Sequence, residues 1–251
     1  MTELAGSVAV VTGAAVGSGR AIAERLAAEG ADVLAADIDV HGGEETLTRI
    51  GAAGGRARFV RADMRVPADV EALVAAAGPL RVLVNNAGGG GHVAPHFPDA
   101  APADWGAALD LNLRSAMLAI QLALEPMRRA GGGAVVNVAS TAGLGLAPYR
   151  SPEYAAAKAG LIRFTSTLAS LRERFGVRVN CVVPDWILTA RAEQQLAGMT
   201  PDERAAAPEP LGLDALTDAL VRLVRDDELA GRVVVLRGGE PPRLLAPDEA
   251  R

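Results

Sequence analysis

The chain has 251 residues, half of them hydrophobic and 22% charged, with a net charge of −5, which fits a globular protein and excludes a disordered chain or a basic nucleic-acid binder. A single cysteine, Cys181, excludes an internal disulfide and a cysteine-based zinc site, and the length allows one large domain or two small ones. The N-terminus, MTELAGSVAV, lacks the basic-then-apolar order of a secretory signal, and no segment approaches the roughly 18 uncharged apolar residues of a membrane span, so a cytoplasmic protein without a membrane partner is expected.

In chain order, short Val- and Ala-rich runs alternate with longer helical stretches. A strand at Val8–Val11 leads through a glycine turn into a helix over Arg20–Glu29, which Gly30 ends. A strand at Asp32–Ala36 precedes a helix over His41–Arg49, for which Asp39 is the better N-cap candidate. Strands at Arg58–Val60 and Val82–Val84 flank a helix at Asp69–Ala77. A helix over Asp104–Arg129 precedes a strand at Ala134–Val138, and a helix over Glu153–Phe175 ends at Gly176 before a strand at Val177–Val182. Residues 190–213, with Pro201, Pro208 and Pro210, are the least regular part and form the expected substrate loop. A helix at Asp214–Arg225 and a strand at Val233–Leu236 close the pattern. Near-continuous apolar strands alternating with helices predict a central parallel sheet of seven strands, covered by helices on both faces. No linker, repeat or low-complexity block divides the chain, so residues 1–251 read as one domain.

The first turn reads Thr12-Gly13-Ala14-Ala15-Val16-Gly17-Ser18-Gly19 at a strand-to-helix junction. Glycines there let the backbone turn tightly and approach a pyrophosphate, whose charge the helix N-terminus holds. Such turns also arise for steric reasons alone. The second strand ends on Asp37, 18 residues after Gly19, where an acid can bind the adenosine ribose hydroxyls and repel a 2′-phosphate. Neither Val16 nor Ile38 offers a cation to that phosphate. NAD is therefore expected over NADP.

Basic residues are 24 Arg and one Lys, a ratio that fits a GC-rich coding bias. The one Lys, Lys158, stands four residues after Tyr154, on the same helix face. With only two Tyr in the chain, random placement gives that spacing in roughly 1% of trials. Ser140 follows the fifth strand, at the sheet edge where ligands bind in open α/β sheets. A phenol titrates near 10 and is a poor acid–base catalyst at neutral pH, an ammonium beside it is expected to lower that value, and a Ser hydroxyl can hold the substrate oxygen. The bland alternative is a turn-capping Ser, a packed Tyr and a solvated Lys. His92 and His96, four apart, suggest a metal pair, but Pro95 between them argues against a helix and no third ligand is near, so no metal is expected. Tyr149 and Trp186 flank these motifs as pocket candidates.

With these motifs in order, the chain resembles the short-chain dehydrogenase/reductase family from Val8 to about Gly239. The likeness adds Asn85-Asn86-Ala87-Gly88 after the fourth strand, Asn112 in the long helix, and Asn180, Pro184 and Thr189 around the sixth strand. It implies an α/β, single-domain Rossmann-like fold of three layers. It implies hydride transfer between nicotinamide and a secondary alcohol or ketone carbon. Tyr154 would be the acid–base and Ser140 the orienting hydroxyl. Lys158 would tune Tyr154 and bind ribose, and Asn112 would hold a water in a proton relay toward Lys158. The cofactor set it implies is Gly13, Val16, Gly17, Ser18, Gly19, Asp37, Asp63 near the adenine, Met64, Asn86, Ala87, Gly88, Tyr154, Lys158, Pro184 and Thr189. A homodimer or homotetramer built on the two long helices is implied as well. Two departures stand out: Asp185 occupies the place where the family has Gly after Pro184, and the Ser140-to-Tyr154 gap is one residue longer than usual. The first supports an alternative, a nucleotide-binding protein of this fold without redox turnover. Lyase or epimerase chemistry at the same site is a third reading.

Overall fold

The inner strands are short runs of Val, Leu and Ala, and their side chains alternate between two buried faces. The computed structural model describes residues 2–90, 94–145 and 149–246. Its elements run β1 (Val8–Thr12), α1 (Gly17–Ala28), β2 (Asp32–Asp37), α2 (Val40–Ala52), β3 (Arg56–Arg61), α3 (Pro67–Ala77) and β4 (Leu80–Asn85). They continue with α4 (Pro102–Leu109), a π-helical turn (Asp110–Arg114), α5 (Ser115–Arg129), β5 (Gly133–Val138), α6 (Pro152–Ser166), α7 (Leu171–Phe175) and β6 (Val177–Pro184). The last part holds α8 (Ala190–Ala197), α9 (Pro201–Ala206), α10 (Leu213–Arg225), β7 (Val233–Leu236) and β8 (Arg243–Leu244). Strand order across the one sheet is β3-β2-β1-β4-β5-β6-β7-β8. The first seven are parallel and β8 runs antiparallel to β7.

Alternation along the strands builds the two outer layers. Ala9, Val11, Val33, Ala35, Val82 and Val84 face Ile22 and Leu26 of α1 and Leu216, Leu220 and Leu223 of α10. Val10, Leu34, Leu83 and Val135 face Val70 and Leu73 of α3 and Ile120, Ala123 and Met127 of α5. Each fully buried Leu or Val side chain contributes about 1.5–3 kcal/mol, so these two cores dominate the stability of the fold. Arg178, buried on β6, ties the sheet to the end of α10. Its guanidinium donates to the carbonyls of Leu223 at 3.0 Å, Asp226 at 2.8 Å and Leu229 at 3.2 Å, with Val224 O and Thr2 Oγ1 also bonded. Carbonyls of a last helical turn lack partners within the helix, so a buried fork of donors suits them.

Several elements differ from expectation. The sheet has an eighth strand, two exposed residues long, brought back against β7 past Gly239 at φ +69°. Two residues with no apolar alternation leave no periodic signal. The expected helix over Asp104–Arg129 starts two residues earlier and carries the π turn, a device frequent at functional sites. By length and composition, Pro102–Arg129 is also apolar enough to cross a membrane, contrary to the expectation that no segment is, but Ala119, Ile120, Ala123 and Met127 lie in the sheet core. The expected helix over Glu153–Phe175 breaks after Ser166, where Ser166 and Thr167 hydroxyls donate to the carbonyls of Arg163 and Phe164 and compete with the helical pattern. The region 190–213 is not irregular: it holds α8 and α9, and α9 starts on a reciprocal cap between Thr200 and Glu203. Gly30 (φ +90°) and Gly176 (φ +68°) do end α1 and α7, and Asp39 caps α2 through Gly42 N.

Candidate active site

Strand order reverses between β1 and β4, and ligands of open α/β sheets bind at such a switch point, outside the C-terminal strand ends. The glycine turn lies there. Gly13 (φ +67°) and Gly17 (φ +56°) adopt the left-handed backbone. A Cβ on Gly13 would meet Ala87 Cα at 2.9 Å, and Gly19 lies flat against the Gly13 carbonyl. Thr46 Oγ1 donates to Ala14 O at 2.9 Å, and Arg20 Nε donates to Ala15 O at 3.0 Å, fixing the turn from α2 and α1. Asn86 staples it to β4: its amide donates to Thr12 O at 3.0 Å, and Thr12 Oγ1 accepts from Asn86 N and Ala87 N at 3.1 and 3.0 Å. Ser18 Oγ donates to Asn86 Oδ1 at 3.0 Å. No side chain caps α1, and its first residues Gly17 and Ser18 line the cleft above the turn.

A cleft of about 600 Å³ opens over this turn. Gly13, Val16, Gly17, Ser18, Asp37, Asp63, Met64, Asn86, Ala87, Gly88 and Thr189 all line it. Asp37 is held across the turn, accepting from Ala15 N at 2.9 Å and Asp39 N at 3.1 Å. Val16 and Ile38, flanking it, are exposed and apolar. Asp63 is forked by Arg65, at 3.0 Å to Nε and 2.7 Å to Nη2, and that hydrogen-bonded guanidinium holds its carboxyl below the ordinary range. Gly19 lies beneath the turn and does not line this cleft; it permits the close approach of α1. The glycine cradle, which a Cβ would fill, and the carboxylate beyond it fit a dinucleotide.

A second cleft, of about 460 Å³, shares Ser18, Asn86, Gly88, Thr189 and Arg191 with the first. Ser140, Tyr154, Lys158 and Pro184 line it, together with Tyr149, Trp186 and Asp185. Ser140 leaves the end of β5, and its Oγ accepts from Ala142 N at 3.2 Å. Tyr154 rides the first turn of α6, stacked on Tyr149 with ring centroids 6.3 Å apart. Lys158, one turn on, is buried; Nζ donates to Val138 O at 3.0 Å and lies 5.6 Å from the Tyr154 ring centroid. Thr189 caps α8 and faces Gly17 across the cleft.

The electrostatics differ from expectation in one respect. Burial raises the Tyr154 phenol above its ordinary value, and the Ser140 hydroxyl and the Arg191 charge pull it back only in part. The expected lowering by Lys158 is not present, because its ammonium is directed to Val138 O and is itself brought down to about 8 by burial. Asn112 also differs. It sits in the π turn, 1% exposed, and lines neither cleft. Its Nδ2 donates to Gly89 O and Ala108 O, and its Oδ1 accepts from Gly89 N, each at 2.9 Å. Both amide protons are thus used, and the Asn112 side chain holds the Gly88-Gly89 bend against Lys158. A Cβ on Gly88 would meet Asn112 Oδ1 at 2.8 Å and Lys158 Nζ at 3.0 Å, which explains glycine there.

Behind these lie Asn137, Thr165 and Glu153, which sequence reasoning missed, and Asn85, which it named. Asn85 Nδ2 donates to Asn137 Oδ1 at 2.8 Å, and Asn137 Nδ2 donates to Thr165 Oγ1 at 2.9 Å, a buried rung from β4 through β5 to α6. The only hint is an Asn inside an apolar strand. Glu153, beside Tyr154, meets His96 Nδ1 at 2.7 Å and accepts from Ser151 Oγ at 2.7 Å; burial opposes its ionisation, but these hydrogen bonds win and hold it at about 2. His96 is engaged there, and His92 lies outside the described residues. Among the described residues no group of three His, Cys, Asp or Glu could hold a metal.

A sequence model of the short chain dehydrogenase family matches residues 7–199. The chain belongs to the short-chain dehydrogenase family. It is 39% identical over 236 residues to a cis-4-hydroxycyclohexanecarboxylate dehydrogenase of Sinomonas cyclohexanicum, covering 91% of this chain and 88% of the relative. It is 36% identical over 245 residues to a D-beta-hydroxybutyrate dehydrogenase of Cupriavidus necator, covering 93% and 91%. Among solved structures, an actinorhodin polyketide ketoreductase with NADPH superposes with a TM-score of 0.84 at 30% identity, covering 95% of this chain and 98% of that one. A 7α-hydroxysteroid dehydrogenase with NADH and 7-oxo glycochenodeoxycholic acid gives 0.82 at 28%, covering 95% of each. This short-chain dehydrogenase is an NAD(P)-dependent oxidoreductase of alcohol or ketone substrates, so the reading without redox turnover falls away.

Proposed function

We propose that the enzyme interconverts a small secondary alcohol and its ketone, with NAD preferred to NADP and Tyr154 as the general acid–base. The observation carrying this reading is that Ser140, Tyr154 and Lys158 line one cleft that runs into the cradle over the glycine turn through Ser18, Asn86, Gly88 and Thr189. Gly13, Val16, Gly17, Ser18, Met64, Ala87 and Asp37 would hold the adenosine and pyrophosphate end, Asp63 would stand near the adenine, and Lys158, Pro184 and Thr189 would hold the nicotinamide end. Bound there, the cofactor supplies or accepts the hydride. Ser140 donates to the substrate oxygen and fixes its direction. In reduction Tyr154 gives its phenolic proton to that oxygen; in oxidation it takes the proton back. A phenol kept protonated by burial is ready for the first direction. Lys158, with an ammonium that burial has brought near neutrality, sits where it can exchange a proton with this system and bind ribose hydroxyls. Asn112 positions the Gly88-Gly89 bend behind them.

NAD would be preferred because the Asp37 carboxylate, which lines this cleft, would face the adenosine ribose and repel a 2′-phosphate, and Arg65, a cation at that end, is already engaged by Asp63. We infer a cytoplasmic homodimer or homotetramer, paired through α5 and α6. The test is Tyr154→Phe, assayed for NADH oxidation with a panel of small ketones and for NADH binding by fluorescence titration. Loss of the acid–base should lower kcat by about 10²–10⁴-fold with binding retained. Turnover within a few-fold of wild type would remove Tyr154 from this role.

A further inference from the structure

We propose that Asp185 is the specificity-determining residue of this site, its carboxylate accepting a hydrogen bond from a hydroxyl next to the reacting carbon of a small, neutral, polyhydric alcohol. The assignment rests on the oxidoreductase reading above and narrows its substrate class. Asp185 follows Pro184 at the end of β6 and lines the cleft with Ser140 and Tyr154, not the cleft over the glycine turn. It is fixed from two sides. Its backbone N–H donates to Leu236 O at 2.9 Å, and its Oδ1 accepts from Thr141 Oγ1 at 2.9 Å. Thr141 is the neighbour of Ser140, so the carboxylate is keyed to the turn that sets the orienting hydroxyl. Its charge also reaches the Tyr149 phenol, whose ring stacks on Tyr154. The carboxylate therefore shares the cleft of Ser140 and Tyr154 and is tied to both through their neighbours Thr141 and Tyr149.

An ionised carboxylate accepts about four hydrogen bonds. Thr141 supplies one, and the carboxylate is half-buried. A substrate that closes over it without a donor leaves that acceptor capacity unmet in a drier site, at a penalty. A substrate with a second hydroxyl satisfies it. A carboxylate-bearing substrate places like charges together, while a cationic one meets Arg191, whose charge acts on Tyr154 in the same cleft. With the acid Asp185 and the cations Lys158 and Arg191 all in the wall, a substrate of either charge meets a like charge, which favours a neutral molecule. Further polar groups of the wall, among them the Gln195 amide, suit hydroxyls as well. Discrimination of this kind is strong, because a site built to bond a hydroxyl rejects the analogue lacking it.

Three alcohols of one carbon count test the assignment on the full-length enzyme with NAD+: butan-2-ol, butane-2,3-diol and 3-hydroxybutyrate. Wild type should show kcat/KM at least tenfold higher for the diol than for butan-2-ol, with 3-hydroxybutyrate the poorest. Asp185→Asn, which is isosteric and can keep the Thr141 contact, should reduce the diol-to-butan-2-ol ratio about tenfold through KM and raise the relative rate on 3-hydroxybutyrate. Asp185→Gly should abolish the diol preference. A merely structural role would lower all three substrates together. A ratio near one in wild type, a ratio unmoved by both variants, or 3-hydroxybutyrate as the best substrate overturns the assignment while leaving the oxidoreductase reading intact. No turnover of any of the three, with NADH still bound, overturns both.

Discussion

Lys158→Met should end turnover and, at neutral pH, raise the stability of the fold. Lys158 is 3% exposed and its ammonium makes one hydrogen bond to the protein, to Val138 O at 3.0 Å. Burial lowers its pKa from 10.5 to about 8, which corresponds to a cost of about 3 kcal/mol for keeping the cation inside at pH 7. Because the folded value lies below the unfolded one, the unfolded chain binds the extra proton between about pH 8 and 10.5, and wild-type stability rises with pH through that window. Met fills a similar volume and titrates nothing, but it leaves Val138 O without this donor, at a cost of about 1–2 kcal/mol at every pH. The variant should therefore be more stable than wild type by about 1–2 kcal/mol at pH 7 and less stable by a similar amount above pH 10.5. For a chain of this size the swing of about 3 kcal/mol corresponds to about 6–12 °C in the difference between melting temperatures. Scanning calorimetry of both proteins from pH 7 to pH 10.5 reads it directly. Cys181, pushed up to about 12 by burial next to Lys158, titrates in both proteins and largely cancels in the difference. Two melting curves that stay parallel across the window would refute the reasoning.

Two further outcomes follow from the geometry. Asp37→Ser removes the carboxylate that Ala15 N and Asp39 N hold over the cleft, and should lower the ratio of kcat/KM with NADH to that with NADPH at least tenfold, as read by steady-state kinetics. An unmoved ratio would detach Asp37 from cofactor choice. Arg178→Met leaves the carbonyls of Leu223, Asp226 and Leu229 without their buried donors and should cost about 3 kcal/mol in urea unfolding with little change in KM. A loss below about 0.5 kcal/mol would show that water replaces the guanidinium there.

Much of the site is legible in the sequence because its parts sit at strand ends. Gly13, Asp37, Asn86 and Ser140 each stand at or within two residues past the C-terminal end of a strand, and a parallel sheet brings all four ends to one edge. Tyr154 and Lys158 are legible as a pair because helical spacing puts them on one face. What escapes is structure with no periodic mark. The π turn adds one residue to a helix without altering its composition, and Asn112, which bonds Gly89, sits within it. The helices α8 and α9 were hidden by the prolines around them, although the Thr200-x-x-Glu203 spacing is a readable start signal. Burial of Lys158 and Glu153 is a property of three packed elements, and no local pattern reports it.

That burial also explains the Lys itself better than helical spacing does. A GC-rich bias accounts for 24 Arg, since exposed positions accept either cation. At position 158 the two cations are not equivalent. A Gly88 Cβ would already stand 3.0 Å from Nζ, and Gly143 packs against the helix backbone at Lys158. A compact ammonium fits beside Gly88, and Val138 O satisfies one of its three donors. A guanidinium would bring five donors and a planar fork into the same space. Lys can also relieve its own desolvation by losing a proton, as its value of about 8 reflects, whereas Arg stays charged and would bear the whole penalty. A group that releases its proton near neutrality, one helical turn from a phenol kept protonated, can serve as a proton donor and acceptor in turn; Arg has no such second state to offer.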